Sequence, residues 1–152
     1  MKIKVKRVSA KKLKEKPTDE SKLGFGKIFT DRFFTMKYKE DRGWHDAMIE
    51  PYRPIVLDPA AVCLHYGQLI FEGLKAYRGR DGAIYLFRPY ENIKRMNASA
   101  ERLCMPTVDP DVFFEGIKKL VLLEKDWIPR GLGTSMYIRP TMIATEAFLG
   151  VH

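Results

Sequence analysis

The sequence predicts an α+β fold, a two-layer domain in which an antiparallel sheet packs against two consecutive helices. Signals for two β-hairpins come before two helical patterns, which follow each other without a strand between them. This order is typical of α+β domains, whereas a parallel sheet needs strands that alternate with helices. At 152 residues the chain is long enough to bury a core of its own.

The first hairpin and the connection after it are marked by residue type. Residues 27–38 are rich in β-branched and aromatic side chains, which favour a strand. Turn-forming residues 41–43 follow, and residues 44–49 are predicted to return as the partner strand. Prolines in and beside residues 52–60 predict an irregular connection. Residues 61–74 are predicted to hold a short buried helix.

The second hairpin has the clearest local signal. Two short runs of strand-forming residues within residues 75–87 flank Asp81-Gly82, a dipeptide that accommodates the positive φ angles of tight turns. Near the end of the chain, residues 134–145 are typical of a strand. Pro140 is expected to interrupt that strand, because proline has no N–H to donate to a ladder.

Two helices are predicted between these strands. Pro89 suits the first turn of a helix, where its missing N–H costs nothing, and Pro106 is expected to end that helix. Asp109 is a natural N-cap, with Pro110 at the first helical position of the second helix. Apolar residues at spacings of three and four give the first helix a buried stripe of Tyr90, Ile93, Met96, Ala100 and Leu103.

The composition excludes several classes of protein. Apolar residues make up 45% and charged residues 30%, as in ordinary globular domains. No run approaches the ~18–20 apolar residues of a membrane span. The basic start is not followed by the apolar stretch of a signal peptide. Cys63 and Cys104 are far apart and lack metal-ligand spacing, so we expect no metal site and two buried thiols in a reducing, cytoplasmic compartment.

The net charge of +8 comes almost entirely from the N-terminal arm. Residues 1–16 hold eight basic side chains and one acidic one. Because this charge lies on a short terminal segment, a solvated arm is favoured over a binding surface. A nucleic-acid-binding arm is the alternative. Ordered structure is predicted to begin near residues 23–26, where glycines interrupt the charge run.

A few polar side chains are candidates for chemistry. In a strand Tyr137 and Arg139 lie on the same face, so a guanidinium beside a phenol is presented for a substrate carboxylate. An internal salt bridge, or an edge strand with Arg139 in solvent, explains the same pattern. Arg95 lies four residues after Glu91, which favours a surface ion pair over a phosphate ligand. His65 is expected to be a core residue.

Five motifs follow one another along the chain: FGKIFTD at residues 25–31, HYGQLIFEGLKAY at 65–77, LFRP at 86–89, NIKRM at 92–96 and TSMYIRP at 134–140. Together they resemble the branched-chain amino acid aminotransferases of the class IV pyridoxal-phosphate group. The resemblance implies that residues 24–152 form the N-terminal, small domain of the class IV (D-amino acid aminotransferase-like) fold. Residues 1–23, the basic N-terminal arm, lie outside it.

The resemblance assigns one residue to the cofactor and several to the substrate. Arg95 matches the arginine that binds the cofactor phosphate, an assignment that replaces the surface pair. Tyr137 and Arg139 match the pair that accepts the side-chain carboxylate of glutamate or 2-oxoglutarate. Tyr66 and Val151 match residues that reach across the dimer interface into the neighbouring pocket. The implied substrate-binding set comprises Phe25, Tyr66, Phe71, Gly73, Tyr137, Arg139 and Val151.

The resemblance also implies what the chain does not carry. Family members hold the catalytic lysine in a C-terminal domain, and its motif is not found in this sequence, so no catalytic residue is predicted. The full-length protein is predicted to be a homodimeric transaminase acting between leucine, isoleucine or valine and 2-oxoglutarate, with this chain inactive alone. The alternatives are another class IV enzyme, such as a D-amino acid aminotransferase or an aminodeoxychorismate lyase, or a non-enzymatic binding module that uses the arm.

Overall fold

A computed structural model describes residues 1–150, and within them the chain forms eight strands and three α-helices. The helices are α1 (Val62–Tyr66), α2 (Pro89–Arg102) and α3 (Pro110–Leu123). None of the helices in this part of the chain has the length and apolar content to cross a membrane. The strands are β1 (Lys4–Val5), β2 (Arg32–Lys39), β3 (Gly43–Pro51), β4 (Leu69–Phe71), β5 (Leu74–Arg78), β6 (Ile84–Leu86), β7 (Met136–Ile138) and β8 (Thr141–Ile143).

The strands form three small sheets, and the predicted α+β class is confirmed. Their orders are β1-β3-β2, β4-β8 and β6-β5-β7. Both predicted hairpins are present, as the antiparallel pairs β2–β3 and β5–β6. All pairs are antiparallel except β1 with β3, which is parallel. The two consecutive helices pack on each other and form one side of the main core.

The main core lies between the helix pair and the strands that carry the candidate site. Ile93, Met96 and Ala100 on α2 are almost completely buried, as the periodicity predicts. Burying an apolar side chain the size of Ile93 or Met96 contributes roughly 1.5–3 kcal/mol, so this stripe fixes α2 against the sheets. Tyr90 and Leu103, at the two ends of the predicted stripe, stay 47% and 39% exposed.

The start of α3 follows the predicted capping pattern. One side-chain oxygen of Asp109 accepts the backbone N–H groups of Asp111 at 2.9 Å and Val112 at 3.1 Å. Pro110 occupies the first turn, where a missing N–H leaves no bond unmade. The cap therefore satisfies two of the backbone N–H groups that have no acceptor within the helix.

Replacing Asp109 with alanine is expected to lower the free energy of unfolding by about 1 kcal/mol, because two amides lose their acceptor. Urea unfolding followed by circular dichroism measures this change. Asp109→Asn is the matched control, since asparagine caps helices as well as aspartate does. Equal losses in the two variants would show that the cap contributes nothing.

The N-terminal segment is ordered earlier than predicted. Ile3 is 9% exposed and belongs to a second, smaller core cluster. The backbone of β1 pairs with β3, with Lys4 opposite Met48, and the ammonium of Lys119 donates to the Ile3 carbonyl at 3.2 Å. The prediction that order begins near residues 23–26 is therefore wrong, because one apolar side chain and free backbone groups are enough to place a charged segment on a sheet edge.

The strand predicted from residue 27 begins only at Arg32. The ammonium of Lys14 donates to the carbonyls of Phe29 at 3.1 Å and Thr30 at 2.9 Å. The backbone N–H of Lys14 donates to the Asp31 carboxylate at 2.8 Å. These residues are held by side-chain contacts instead of a neighbouring strand, so their β-forming side chains do not decide their structure.

Three smaller predictions about burial are wrong. The predicted buried helix is α1, which has five residues, and only Cys63 within it is buried. His65 is exposed, and its Nε2 lies 2.7 Å from the Pro59 carbonyl. Cys104 is also exposed, at a φ of 53° just after α2. It follows the end of a helix, where a turn carries the side chain away from the core.

Candidate substrate and phosphate site

The candidate site lies where two strand pairings are interrupted at the same place. β4 pairs with β8 and β5 pairs with β7, so two stretches of chain run side by side in opposite directions. Between the two pairs, residues 72–73 face residues 139–140, and the Glu72 N–H donates to the Pro140 carbonyl at 3.0 Å. Pro140 has no N–H to donate in return, so the ladder is interrupted here and resumes between Phe71 and Thr141. Several predicted site residues meet at this break.

Tyr137 and Arg139 form one polar unit with aromatic neighbours. The Nε and Nη2 atoms of Arg139 donate to the Tyr137 hydroxyl at 3.2 and 3.0 Å. The guanidinium carbon lies 4.3 Å from the centre of the Phe71 ring, a cation–π arrangement. The Phe25 ring packs edge-on against Tyr137, with centroids 5.0 Å apart. Four of the predicted substrate residues are therefore in contact.

Gly73 leaves the space that the Tyr137 ring occupies. A Cβ atom at this position would lie 2.8 Å from Cζ of Tyr137 and closer still to the hydroxyl oxygen. Real Cβ atoms do not approach other atoms so closely, so any side chain here would displace the phenol. The glycine is thus required by close packing and not by its backbone angles.

Arg139 makes no ion pair with any residue of the described chain. It is exposed, and its side-chain hydrogen bonds run to the Tyr137 hydroxyl alone. Of the explanations left open by the sequence, an internal salt bridge is therefore wrong. A guanidinium that stacks on an aromatic ring and lacks a protein carboxylate can accept a carboxylate from a ligand, with two parallel N–H···O bonds.

Arg95 is held by a buried acid. Its Nε and Nη2 donate to the two carboxylate oxygens of Glu72 at 2.5 and 2.8 Å. Glu72 is 7% exposed and also accepts the Asn92 amide at 3.1 Å and the Gly73 N–H at 3.2 Å. The hydrogen bonds from Arg95 lower the pKa of Glu72 below its ordinary value, against the opposing effect of desolvation. Glu72 is therefore a fixed anion that orients Arg95.

The surface pair considered for Arg95 is not formed. Glu91 pairs with Arg88 instead, at 3.5 Å. The Arg95 side chain is 66% exposed, and its Nη1 has no hydrogen-bond partner among residues 1–150. Glu72 uses one edge of the guanidinium and leaves another edge open to solvent. This arrangement fits an anionic group such as a phosphate ester, which guanidinium N–H donors bind well.

Tyr66 lies apart from this cluster. It is half-exposed, and its hydroxyl donates to the Leu149 carbonyl. Within the described chain it shares no ring or hydrogen-bond contact with Phe71 or Arg139. Val151, its predicted companion at the dimer interface, lies outside the described residues, two positions after Leu149.

Sequence reasoning missed Glu72 and Asn92, the two side chains that hold Arg95. A signal for Glu72 existed in the strand alternation. Ile70 and Glu72 lie on one face of β4 and its continuation, and Ile70 is an apolar residue that a sheet buries. An acid at a buried position needs a partner, because unpaired buried charge is very costly.

Stability should depend on pH through Glu72. Its pKa is lowered from 4.5 on folding, so the stabilisation is present above pH 4.5 and is lost as the pH falls through the folded-state pKa. Glu72→Gln is expected to be less stable than the wild type at pH 7, with a gap that narrows below about pH 4.5. Urea titrations across this range measure the gap. Glu101→Gln, an exposed acid on α2, is the control, and a gap independent of pH for Glu72→Gln would contradict the pairing.

The chain is similar to known aminotransferases in sequence. It is 52% identical over 149 residues to branched-chain-amino-acid aminotransferase 2 of Bacillus subtilis, covering 98% of this chain and 40% of the relative. It is 53% identical over 152 residues to a probable branched-chain-amino-acid aminotransferase of Staphylococcus epidermidis, covering 100% and 42%. The match to the Staphylococcus aureus N315 protein is 58% over 139 residues, covering 91% and 38%. No family model matches the chain.

Solved structures give the same picture for the fold. The branched-chain amino acid aminotransferase of Escherichia coli matches with a TM-score of 0.57 and 24% identity, over 68% of this chain and 33% of that one. The T.th. branched-chain amino acid aminotransferase, complexed with N-(5'-phosphopyridoxyl)-L-glutamate, matches with a TM-score of 0.56 and 30% identity, over 67% and 32%.

The fold and these matches define the N-terminal domain of a class IV aminotransferase. The chain belongs to the branched-chain aminotransferase family and matches the N-terminal portion of its members. It spans about two fifths of the length of the curated relatives it matches. The alignments with the B. subtilis and S. epidermidis proteins also include most or all of the basic arm.

Proposed function

We propose that this chain supplies the phosphate contact and the substrate contacts of a full-length transaminase. That enzyme moves the amino group between leucine, isoleucine or valine and 2-oxoglutarate, with pyridoxal 5'-phosphate as cofactor. The single observation that carries the proposal is the unit of Tyr137 and Arg139. It places a guanidinium that has no carboxylate partner among residues 1–150 beside the phenol of Tyr137 and the rings of Phe25 and Phe71.

The unit explains how one site takes two kinds of substrate. A branched aliphatic side chain is favoured by the apolar surfaces of Phe25 and Phe71, which are 69% and 56% exposed and can still be covered. The side-chain carboxylate of 2-oxoglutarate is favoured by the N–H donors of Arg139 and the hydroxyl of Tyr137. Gly73 keeps the phenol in reach by leaving space for it.

Arg95 is the residue that we assign to the cofactor phosphate. Glu72 and Asn92 hold the guanidinium from one side, so it is oriented before a ligand arrives. When bound, pyridoxal phosphate supplies the electron-accepting ring for amino-group transfer. Glu72, which orients Arg95, directly precedes Gly73, which packs against Tyr137. The phosphate contact and the substrate contact are therefore positioned by the same link between β4 and β5.

The remaining assignments concern assembly and place in the cell. Tyr66 and Val151 are proposed to meet the neighbouring subunit of a homodimer, and the half-exposed Tyr66 ring is compatible with that role. Residues 24–152 are proposed as the small domain, with residues 1–23 as an arm packed on it. A cytoplasmic location is part of the proposal, supported by two cysteines that form no disulfide.

Activity of the full-length protein tests the proposal. With pyridoxal phosphate and 2-oxoglutarate it should transaminate L-leucine, L-isoleucine and L-valine, but not D-alanine. The chain of residues 1–152 alone should be inactive, because none of its lysines is assigned the covalent role in catalysis. Failure of the full-length protein on all three L-amino acids, or a preference for D-alanine, would refute the proposal.

A further inference from the structure

We propose that Glu20 is a positioning residue for the substrate site. It fixes the N-terminal segment to the turn before β7 and thereby holds Phe25 against Tyr137. The inference rests on the proposed function, because it gives the segment before Gly24 a role in binding the substrate. It adds a residue that lies outside the five motifs.

The carboxylate of Glu20 binds two consecutive backbone amides from the far end of the chain. Its Oε1 accepts the Arg130 N–H at 2.8 Å, and its Oε2 accepts the Gly131 N–H at 2.6 Å. Hydrogen bonds to an ionised acceptor are stronger than those between neutral groups. Because each carboxylate oxygen accepts a different amide N–H, the two bonds fix both the distance and the orientation of Glu20 relative to the turn.

The turn held by Glu20 leads directly into the substrate site. The Gly131 carbonyl accepts the N–H of Thr134 at 3.1 Å and its hydroxyl at 2.6 Å, which closes the turn. β7 then begins at Met136 and carries Tyr137. Along the chain, Phe25 follows Glu20 by about as many residues as Tyr137 follows Gly131. The contact between Phe25 and Tyr137 can therefore form next to the contact between Glu20 and Gly131.

Phe25 is not held in place by burial. It is 69% exposed, and its ring contact within the described chain is the one with Tyr137. Gly24 and Gly26, on either side, have φ angles of 61° and 71°, so the local backbone is permissive. The position of such a residue depends on where its segment is anchored.

Among residues 1–150, Phe25 lies between two hydrogen-bonded anchors of the segment. After it, the Lys14 ammonium binds the carbonyls of Phe29 and Thr30. Before it, the anchor is Glu20. Releasing one anchor lengthens the unconstrained segment, so ordering Phe25 against Tyr137 becomes entropically more costly.

Gly131 provides a second way to break the same contact. A Cβ there would lie 2.8 Å from Oε2 of Glu20, so alanine should push the carboxylate away. The φ angle of Gly131 lies outside the left-handed region, and its backbone therefore accepts alanine. Substitutions on both sides of the contact should have the same consequence.

The test uses the full-length protein with pyridoxal phosphate. Glu20→Ala should raise KM for 2-oxoglutarate by about three- to tenfold while kcat changes by less than about twofold, as expected for a lost anchor of one or two hydrogen bonds. Glu20→Gln, which keeps one acceptor oxygen, should be intermediate, and Gly131→Ala should resemble Glu20→Ala. In a Phe25→Ala background, Glu20→Ala should add nothing, because the residue it positions is gone.

Glu15→Gln is the matched control, since Glu15 is an exposed acid of the same segment without a side-chain bond in residues 1–150. Limited trypsin digestion gives a readout that does not depend on activity. Cleavage after Lys22 and Arg130 should be faster in Glu20→Ala than in the wild type and unchanged in Glu15→Gln. An unchanged KM, an equal KM effect in the Phe25→Ala background, or unchanged cleavage would overturn the inference. A wild type that does not transaminate refutes the proposed function instead, and the cleavage comparison then decides on Glu20 by itself.

Discussion

Replacing Arg95 with alanine in the full-length protein is expected to weaken the binding of pyridoxamine 5'-phosphate about 10- to 100-fold, which corresponds to the loss of charge-assisted hydrogen bonds to one phosphate. This ligand has the phosphate but forms no covalent bond with a lysine, so its Kd isolates the non-covalent contact. Titration of the cofactor-free protein, followed by absorbance, measures the change. Arg95 has an open guanidinium edge, and the variant removes it entirely.

Two further variants separate the phosphate contact from general effects of charge. Arg102→Ala removes an exposed arginine from the same helix and should change the Kd by less than about twofold. Arg95→Lys keeps the charge but cannot make the forked contact with Glu72, so it should lie nearer to alanine than to the wild type. If Arg95→Ala and Arg102→Ala weakened binding equally, Arg95 would have no specific role.

Much of the fold could be predicted because its signals are local. The turn at Asp81-Gly82, the cap at Asp109 and the prolines that open α2 and α3 each act on a few neighbouring residues. The placement of the N-terminal segment could not be predicted in this way. It depends on pairing between β1 and β3 and on contacts from Lys14 and Glu20 to residues far along the chain.

The candidate site shows the same division. Strand alternation correctly indicated that Tyr137 and Arg139 lie together, and the family motifs drew attention to Phe71 and Gly73. Periodicity could not indicate the partner of Arg95, because Glu72 lies outside helix α2, in the link between β4 and β5, 23 positions away in sequence. A pair between residues far apart in sequence is a property of the packed structure, whereas a pair such as Arg95 with Glu91 can be proposed from helix geometry alone.

Gly73→Ala is expected to lower kcat/KM for 2-oxoglutarate by about 100-fold, because a displacement on the order of 1 Å at a substrate contact has effects of this size. The added methyl group would overlap the Tyr137 hydroxyl, so the ring must move, and Arg139 loses the oxygen to which it donates. Steady-state kinetics on the full-length protein measure the loss. The half-reaction with leucine should suffer less, because a branched aliphatic side chain does not need the guanidinium.

The same substitution in a Tyr137→Ala protein distinguishes displacement of the Tyr137 ring from an effect on the backbone. In a Tyr137→Ala protein the obstructing ring is absent, so Gly73→Ala should then change kcat/KM by less than about threefold. A large loss in both backgrounds would place the effect in the backbone between β4 and β5 and not in the Tyr137 ring. Since Gly73 has no left-handed φ angle, alanine itself imposes no backbone strain, and the space taken by the phenol is the physical reason for a glycine at this position.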